Sequence, residues 1–361
     1  MATCIVTFYT LVQPSFNHQS EVHLDADAGT YLAVADFVRD GGAGVALVSL
    51  GGNLLGPVLI ALLCKTGIMI TLFNMLLFCI AIYAAGVTRG IDRWLFAVLV
   101  MLNAETLVSL VTVNKEILAL FSATLFAKYI YSEQRSKLLL LVILVSALFA
   151  RWQQLGIVLL YFLLRRQGSF FEKRPKLALT LIVLLLAVAY PFMSSEYDLS
   201  GFTAQGETGG TMTVMNHMQA HFLYPLVVLP KIVMNLAGQL ITPSFFWTTY
   251  LTRPFSDLQN QFAVQLHTVA MVGLWFAAWA KGRLRLQEPL IFFSGLYLVV
   301  TALTPFVQPR YQYPVYVLLC LELARKRESV PAYSAGPASP DSPRPGLRMP
   351  GYGLAEVTAR R

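Results

Sequence analysis

With 361 residues, of which 56% are hydrophobic and only 13% charged, the chain is too apolar for a water-soluble domain, and its apolar residues come in long runs rather than at amphipathic spacing. The net charge of +8 does not point to nucleic acid, because the cations stand in short clusters between apolar runs and are not interleaved with aromatic residues. The four cysteines, Cys4, Cys64, Cys79 and Cys320, lie in or beside apolar segments without metal-ligand spacing and read as packing residues.

A hydrocarbon core about 30 Å thick needs about 20 apolar residues per helix. In chain order, the stretch Ala2 to Val12 is too short to span and lacks a basic flank and a cleavage site. It reads as the outer half of a first transmembrane helix, or else as an interfacial anchor. Within residues 14–66, Tyr31 to Arg39 and Asn53 to Cys64 are candidate interfacial helices. Segments 67–87, 94–113, 177–192, 261–280 and 288–307 read as spans or near-spans. Between them, "VTVNKEILALF" opens a helix running to about Tyr131 with Asn114 as its N-cap, and 138–164 carries cations at both ends and "RWQQ" in its middle. That pattern favours two short helices meeting at Arg151, each about 20 Å long. Segment 223–241 contains Pro225 and Pro230 and spaces Lys231, Asn235 and Gln239 at i, i+4, i+8, the pattern of an in-plane helix with one polar stripe. From Glu328 onward a Pro, Ser, Gly and Arg composition predicts a disordered cytoplasmic tail, residues 328–361. The expected architecture is therefore all-α, a polytopic bundle of about 9–10 spans with a truncated first one, residues 1–327.

Charge orients these elements. Arg165, Arg166, Lys173, Arg174 and Lys176 form one cluster and Lys281, Arg283 and Arg285 another; both loops are cytoplasmic by the positive-inside rule. Arg89 with Arg93, Arg135 with Lys137, and Arg325 to Arg327 mark further cytoplasmic turns. Crossings between the two clusters must be even in number, so 193–260 becomes a long outer loop and 223–241 does not cross. The same parity puts 14–66 outside; a crossing by 43–64 would instead move the acids Glu21 to Asp27 inside.

An ionisable residue inside a membrane costs roughly 2.5–3.5 kcal/mol on insertion scales and is a functional candidate by default. Asp25, Asp27, Glu105, Lys115, Glu116, Arg151, Lys231, Arg253 and Arg310 all fall at or just below the outer face in this topology. Asp25 or Asp27, ahead of Tyr31, is placed to act as a general base, or simply to sit at a helix N-terminus. Lys115 is misplaced beside the positive end of its helix unless it meets an anion, such as a lipid phosphate or Glu105, or snorkels to water; Glu116 suits that end. Arg151 has the two-pronged geometry that suits a phosphate, or pairs with Glu105 or Glu116. In "QPRYQYP" the prolines restrict the backbone that presents Arg310, with Tyr311 and Tyr313 at the same mouth. His217 and His221 are spaced for a metal on one helix face, but no third ligand is evident.

These segments resemble the GT-C class of membrane glycosyltransferases and the related polytopic enzymes of exopolysaccharide and O-antigen assembly. The resemblance covers about residues 15–324 and rests on "DADAGTY", "NKEIL", the short helices around "ARWQQ", and "PRYQYP" before the last span. It implies a catalytic aspartate in the first outer loop four residues before a tyrosine, matching Asp27 and Tyr31. It also implies a polyprenyl phosphate or diphosphate sugar donor held by outer-face cations. In that family a second acid often follows the aspartate, whereas here Ala28 follows Asp27, so Asp25 is the alternative. The implied activity is sugar transfer to a polysaccharide, lipid or protein acceptor in a bacterial inner membrane, with Lys115, Glu116, Arg151, Arg310, Tyr311, Tyr313, Glu105 and Lys231 as substrate-side residues. Membrane lipids are the expected surroundings and nucleic acid is not an expected partner. A divalent ion bridging Asp25 or Asp27 to the phosphate is compatible with the sequence, which requires none. The rival readings are a polymerase of lipid-linked glycans that relies on the arginines, and a lipid-linked sugar transporter or flippase, for which internal repeats and broken mid-membrane helices are missing.

Overall fold

The computed structural model describes residues 26–42, 53–64, 66–132, 136–165, 169–193, 210–241, 255–305 and 309–326. Asp25, the stretch 2–12, segments 194–209 and 242–254 of loop 193–260 with Arg253, and the tail from 327 onward lie outside the described residues. Among the described residues the fold is all helical apart from one isolated antiparallel bridge, Ile91 to Arg325. The helices are α1 Ala26–Phe37, α2 Leu55–Leu63, α3 Gly67–Gly86, α4 Arg93–Met101, α5 Ala104–Val111, α6 Glu116–Tyr131 and α7 Lys137–Ala150. They continue as α8 Trp152–Leu164, α9 Pro175–Met193, α10 Gly210–Ala220, α11 Tyr224–Ile241, α12 Phe255–Ala280, α13 Pro289–Thr301 and α14 Tyr313–Ala324.

At the centre is α14, apolar on every side apart from Glu322 and buried along its whole length, as an all-round hydrophobic helix must be. It packs on α6, α13, α4 and α12. Around this core the outer helices turn apolar side chains outward. On α3, Leu72, Leu76 and Tyr83 are 61%, 56% and 67% exposed, and α9 exposes Leu184, Leu185, Val188 and Phe192. The most telling case is α11, which exposes Leu226, Leu229 and Val233 while burying Tyr224, Val227, Lys231 and Asn235. A helix facing water does the reverse.

Among the described residues two helices, Gly67–Gly86 and Pro175–Phe192, are long and apolar enough to cross a membrane, and a third qualifies if α4 and α5 count as one broken span. The expected straight span 94–113 is thus corrected: α4 and α5 are bent by 86°. Asn103 makes the break. Its side-chain oxygen accepts from the Glu105 N–H at 2.9 Å, capping α5, and its carboxamide meets the buried His267 Nδ1 of α12 at 2.9 Å. Asn74 of α3 then donates to the Ser109 and Thr112 carbonyls at the far end of α5, both at 2.9 Å, where a helix has unsatisfied acceptors. Segment 288–307 also falls short, since α13 ends at Thr301.

The hairpin at Arg151 forms as its sequence predicts, and α2 seats against it. A Cβ at Gly56 would come within 2.0 Å of the Phe149 carbonyl oxygen, so α2 and α7 approach at a distance only glycine permits. Asn53, just before α2, is thereby brought to the end of α7 where Arg151 sits.

At another end of the bundle the loops assigned to the cytoplasm by charge meet one another. The Arg325 guanidinium pairs with Glu288 at 2.7 Å and donates to the Tyr131 hydroxyl at 2.6 Å. Arg283 donates to the Arg325 carbonyl at 2.7 Å, Arg165 to the Gln287 carbonyl at 2.9 Å, and the Lys326 N–H to the Gly90 carbonyl at 2.6 Å. Turns 88–92, 281–288 and 325–326 and the ends of α6 and α8 thus form one latch.

Candidate functional site

Arg151 owes its position to backbone chemistry. It is both the C-cap of α7 and the N-cap of α8, in an extended conformation; its N–H reaches the Ala147 carbonyl at 2.9 Å, and its own carbonyl receives Gln154 N–H at 2.9 Å. Arg151 is buried, with 5% of the residue exposed. Its guanidinium pairs with Glu116 Oε1 at 2.6 Å, which α6 presents from its first turn. The Asn114 side chain accepts from the Glu116 N–H at 3.4 Å, and the helix itself begins at Glu116.

A second focus is the Tyr311 ring, held on the one-turn 3-10 helix Pro309–Gln312. Three cations surround it: Arg151 Cζ lies 4.4 Å from the ring centroid, Lys115 Nζ 5.5 Å and Arg310 Cζ 5.9 Å. The π face offsets part of the cost of gathering like charges. Gln312 secures the turn by donating to the Thr301 hydroxyl at 2.9 Å. Lys115 also donates to the Tyr31 hydroxyl at 3.1 Å, which docks α1 on the start of α6.

Lys115, Arg151 and Tyr311 line a cavity of about 230 Å³ together with Asn53, Trp152, Gln153, Tyr190, Tyr297 and a wall of Val300, Thr301 and 303–305. Among the described residues Asn53 Oδ1, Gln153 Oε1 and Arg151 Nε are buried and have no hydrogen-bond partner. Two acceptors and a cationic donor thus remain available to a polar ligand. With an otherwise aromatic and aliphatic wall, the cavity has the make-up of a small-molecule site.

The sequence-derived candidates divide into groups. Lys115, Arg151, Arg310 and Tyr311 come together, with Glu116 behind Arg151 as its ion-pair partner. Asp27 lies in the first turn of α1, one turn ahead of the buried Tyr31; Asp25 lies outside the described residues. Tyr313, Glu105 and Lys231 do not line the cavity. The Tyr313 hydroxyl meets that of Thr106 at 2.8 Å and its ring stacks on Tyr316. Glu105 is buried at the start of α5. Lys231 is fully buried on α11 and donates to Asn216 Oδ1 at 3.0 Å and Gln219 Oε1 at 2.6 Å. Desolvation there draws its ammonium down to about 7, as expected of a buried cation with neutral partners. His217 and His221 are exposed with rings 4.2 Å apart, and the described residues contain no set of three His, Cys, Asp or Glu able to hold a metal.

Asn53, Gln153, Tyr190 and Tyr297 are lining residues not picked out from the sequence. Each is a polar or phenolic residue in or beside an apolar run, a signal too common to rank without the fold. No family model, curated protein or solved structure matches the chain.

Proposed function

We propose that the chain is a polytopic membrane glycosyltransferase of the GT-C kind. It moves a sugar from a polyprenyl phosphate or diphosphate to an acceptor hydroxyl at the extracytoplasmic face, in cell-surface polysaccharide or glycoconjugate assembly. The observation that carries this reading is the gathering of Lys115, Arg151 and Arg310 around Tyr311, with Lys115, Arg151 and Tyr311 lining one cavity. The membrane part is supported by outward apolar faces on α3, α9 and α11 and by the latch that joins the cation-bearing turns, which are the turns the positive-inside rule puts on one side. Helix α11 is then the in-plane element of the outer loop.

In this mechanism Asp27, or Asp25, takes the proton of the acceptor hydroxyl as its oxygen bonds to the sugar's anomeric carbon. The bond from that carbon to the phosphate oxygen breaks, and the electron pair leaves with the lipid phosphate. Negative charge grows on the leaving group, so cations fixed beforehand stabilise the transition state more than the bound donor. The Tyr31–Lys115 hydrogen bond supports the pairing of base and cations, because it holds the helix bearing position 27 against the residue that opens α6.

The cation-rich cavity also suits a polymerase acting on lipid-linked glycans, which would rely more on the arginines than on an aspartate. The test is to incubate purified protein in detergent with a panel of polyprenyl-linked sugars and measure release of lipid phosphate. Release that depends on Arg151 is the expected result; no release from any donor sinks the transferase reading.

A further inference from the structure

Helices α10 and α11 do not themselves line the cavity, yet they hold one of its walls. The Asn216 side chain on α10 donates to the Pro305 carbonyl at 2.6 Å, and Gln219, one turn later, donates to the Leu303 carbonyl at 3.0 Å. The Tyr224 hydroxyl of α11 donates to the Val299 carbonyl at the end of α13. Residues 302–305 follow the end of α13, and Leu303, Thr304 and Pro305 face the cavity.

A carboxamide can bind with either end, and rotating it by half a turn exchanges donor for acceptor. The choice is fixed here from behind. Lys231, which as an ammonium has donors only, points its side-chain nitrogen at Asn216 Oδ1 and Gln219 Oε1 together. With both oxygens engaged, both NH₂ groups must face the wall carbonyls. Asn216, Gln219 and Lys231 are all 4% exposed or less, and no ion pair involves Lys231 among the described residues. A buried lysine costs several kcal/mol, an expense that methionine would avoid if filling space were its role.

We propose that Lys231 is a positioning residue that locks the Asn216 and Gln219 amides in the orientation that holds the cavity wall 303–305. The wall in turn frames the turn carrying Arg310 and Tyr311, since Thr301 at its root bonds Gln312.

The test is a labelling rate in the full chain in detergent and requires no donor or turnover, so it stands or falls separately from the transferase reading. A thiol introduced by Thr304→Cys reports on the wall, and a second one introduced by Lys281→Cys, in the exposed turn after α12, serves as internal reference. Both are followed by mass spectrometry after exposure to a small maleimide at about pH 6, where the Lys231 ammonium keeps its proton. Lys231→Met should raise labelling at position 304 about tenfold relative to position 281, the scale of one or two lost hydrogen bonds. The deciding variant is Asn216→Asp with Gln219→Glu. It keeps the lysine's acceptors and adds charge to them, but removes both donors to the wall, and it should raise labelling by a similar factor. In this double variant, a ratio of position 304 to reference labelling within about twofold of that in the otherwise unaltered protein with Thr304→Cys and Lys281→Cys overturns the proposal, whether or not Lys231→Met folds, because Lys231 would then act by packing alone.

Discussion

The Lys115 ammonium donates to the Tyr31 hydroxyl at 3.1 Å across 84 residues of sequence, and this contact joins the two segments that the proposed transfer needs side by side. Tyr31 is 1% exposed and sits one turn after Asp27 on α1, while Lys115 opens α6 at the cavity. Tyr31→Phe keeps the ring and removes this acceptor. A net loss of about 1 kcal/mol is expected for such a bond, and because it sets the relative placement of base and cation, the transfer rate should fall roughly five- to tenfold with donor affinity little changed. An unchanged rate in well-folded protein would show that the contact is only a packing detail.

The Arg151–Glu116 pair gives a second prediction. Both side chains are buried and 2.6 Å apart, so removing one partner leaves an uncompensated charge, at a cost of about 3–5 kcal/mol. Glu116→Gln should therefore lower the thermal midpoint in detergent by several degrees. A polyprenyl phosphate should restore part of that loss, because its phosphate can take the place of the missing carboxylate at Arg151. Equal lipid stabilisation of Glu116→Gln and Arg151→Ala would contradict the assignment of Arg151 to the phosphate.

Tyr311 separates the role of its ring from that of its hydroxyl. Tyr311→Phe preserves the π face under Arg151, Lys115 and Arg310 and should retain most activity. Tyr311→Leu removes contacts worth about 0.5–2 kcal/mol each, and donor affinity should drop about tenfold or more. The comparison is made from apparent KM values for the two variants; equal values would mean that the ring does not organise the cations.

Orientation is tested by labelling single cysteines from each side of the membrane. Gly206→Cys, in the loop 193–260, should react from the outside, and Lys281→Cys, beside the Arg283 latch, from the cytoplasm. Labelling of position 206 from the cytoplasm alone would break the parity assignment and carry the site's location with it.

Much of the layout was legible because local chemistry announces it. Arg151-Trp152-Gln153-Gln154 between two apolar runs marks a helix break, and the structure breaks there. Glu116 was one of two named partners for Arg151, and distance chose between them. By contrast, the bend in 94–113 was hidden, because hydropathy averages over Asn103 while the break depends on His267, 164 residues away. The stripe of Lys231 and Asn235 was visible, but its inward orientation depends on α10 packing behind it. Tyr311 and Tyr313 look alike in "PRYQYP", yet the change from 3-10 turn to α14 sends Tyr311 to the cations and Tyr313 to Thr106. The acids proposed for catalysis were singled out by sequence, and the described side chains begin just after them.

In the proposed transfer an aspartate of the first outer loop takes the acceptor proton. The deciding quantity is the rate of lipid phosphate release from the best polyprenyl-linked sugar in wild type, Asp27→Asn, Asp25→Asn and the double variant, with donor binding measured alongside. An amide nearly matches the carboxylate in shape but cannot accept the proton, and general-base assistance is worth about 10²–10⁴-fold. The transfer mechanism predicts a loss of that size in Asp27→Asn, or in Asp25→Asn if that is the base, with donor binding almost unchanged. Near wild-type release by all three variants in well-folded protein would contradict it and leave the arginine-centred polymerase as the better description.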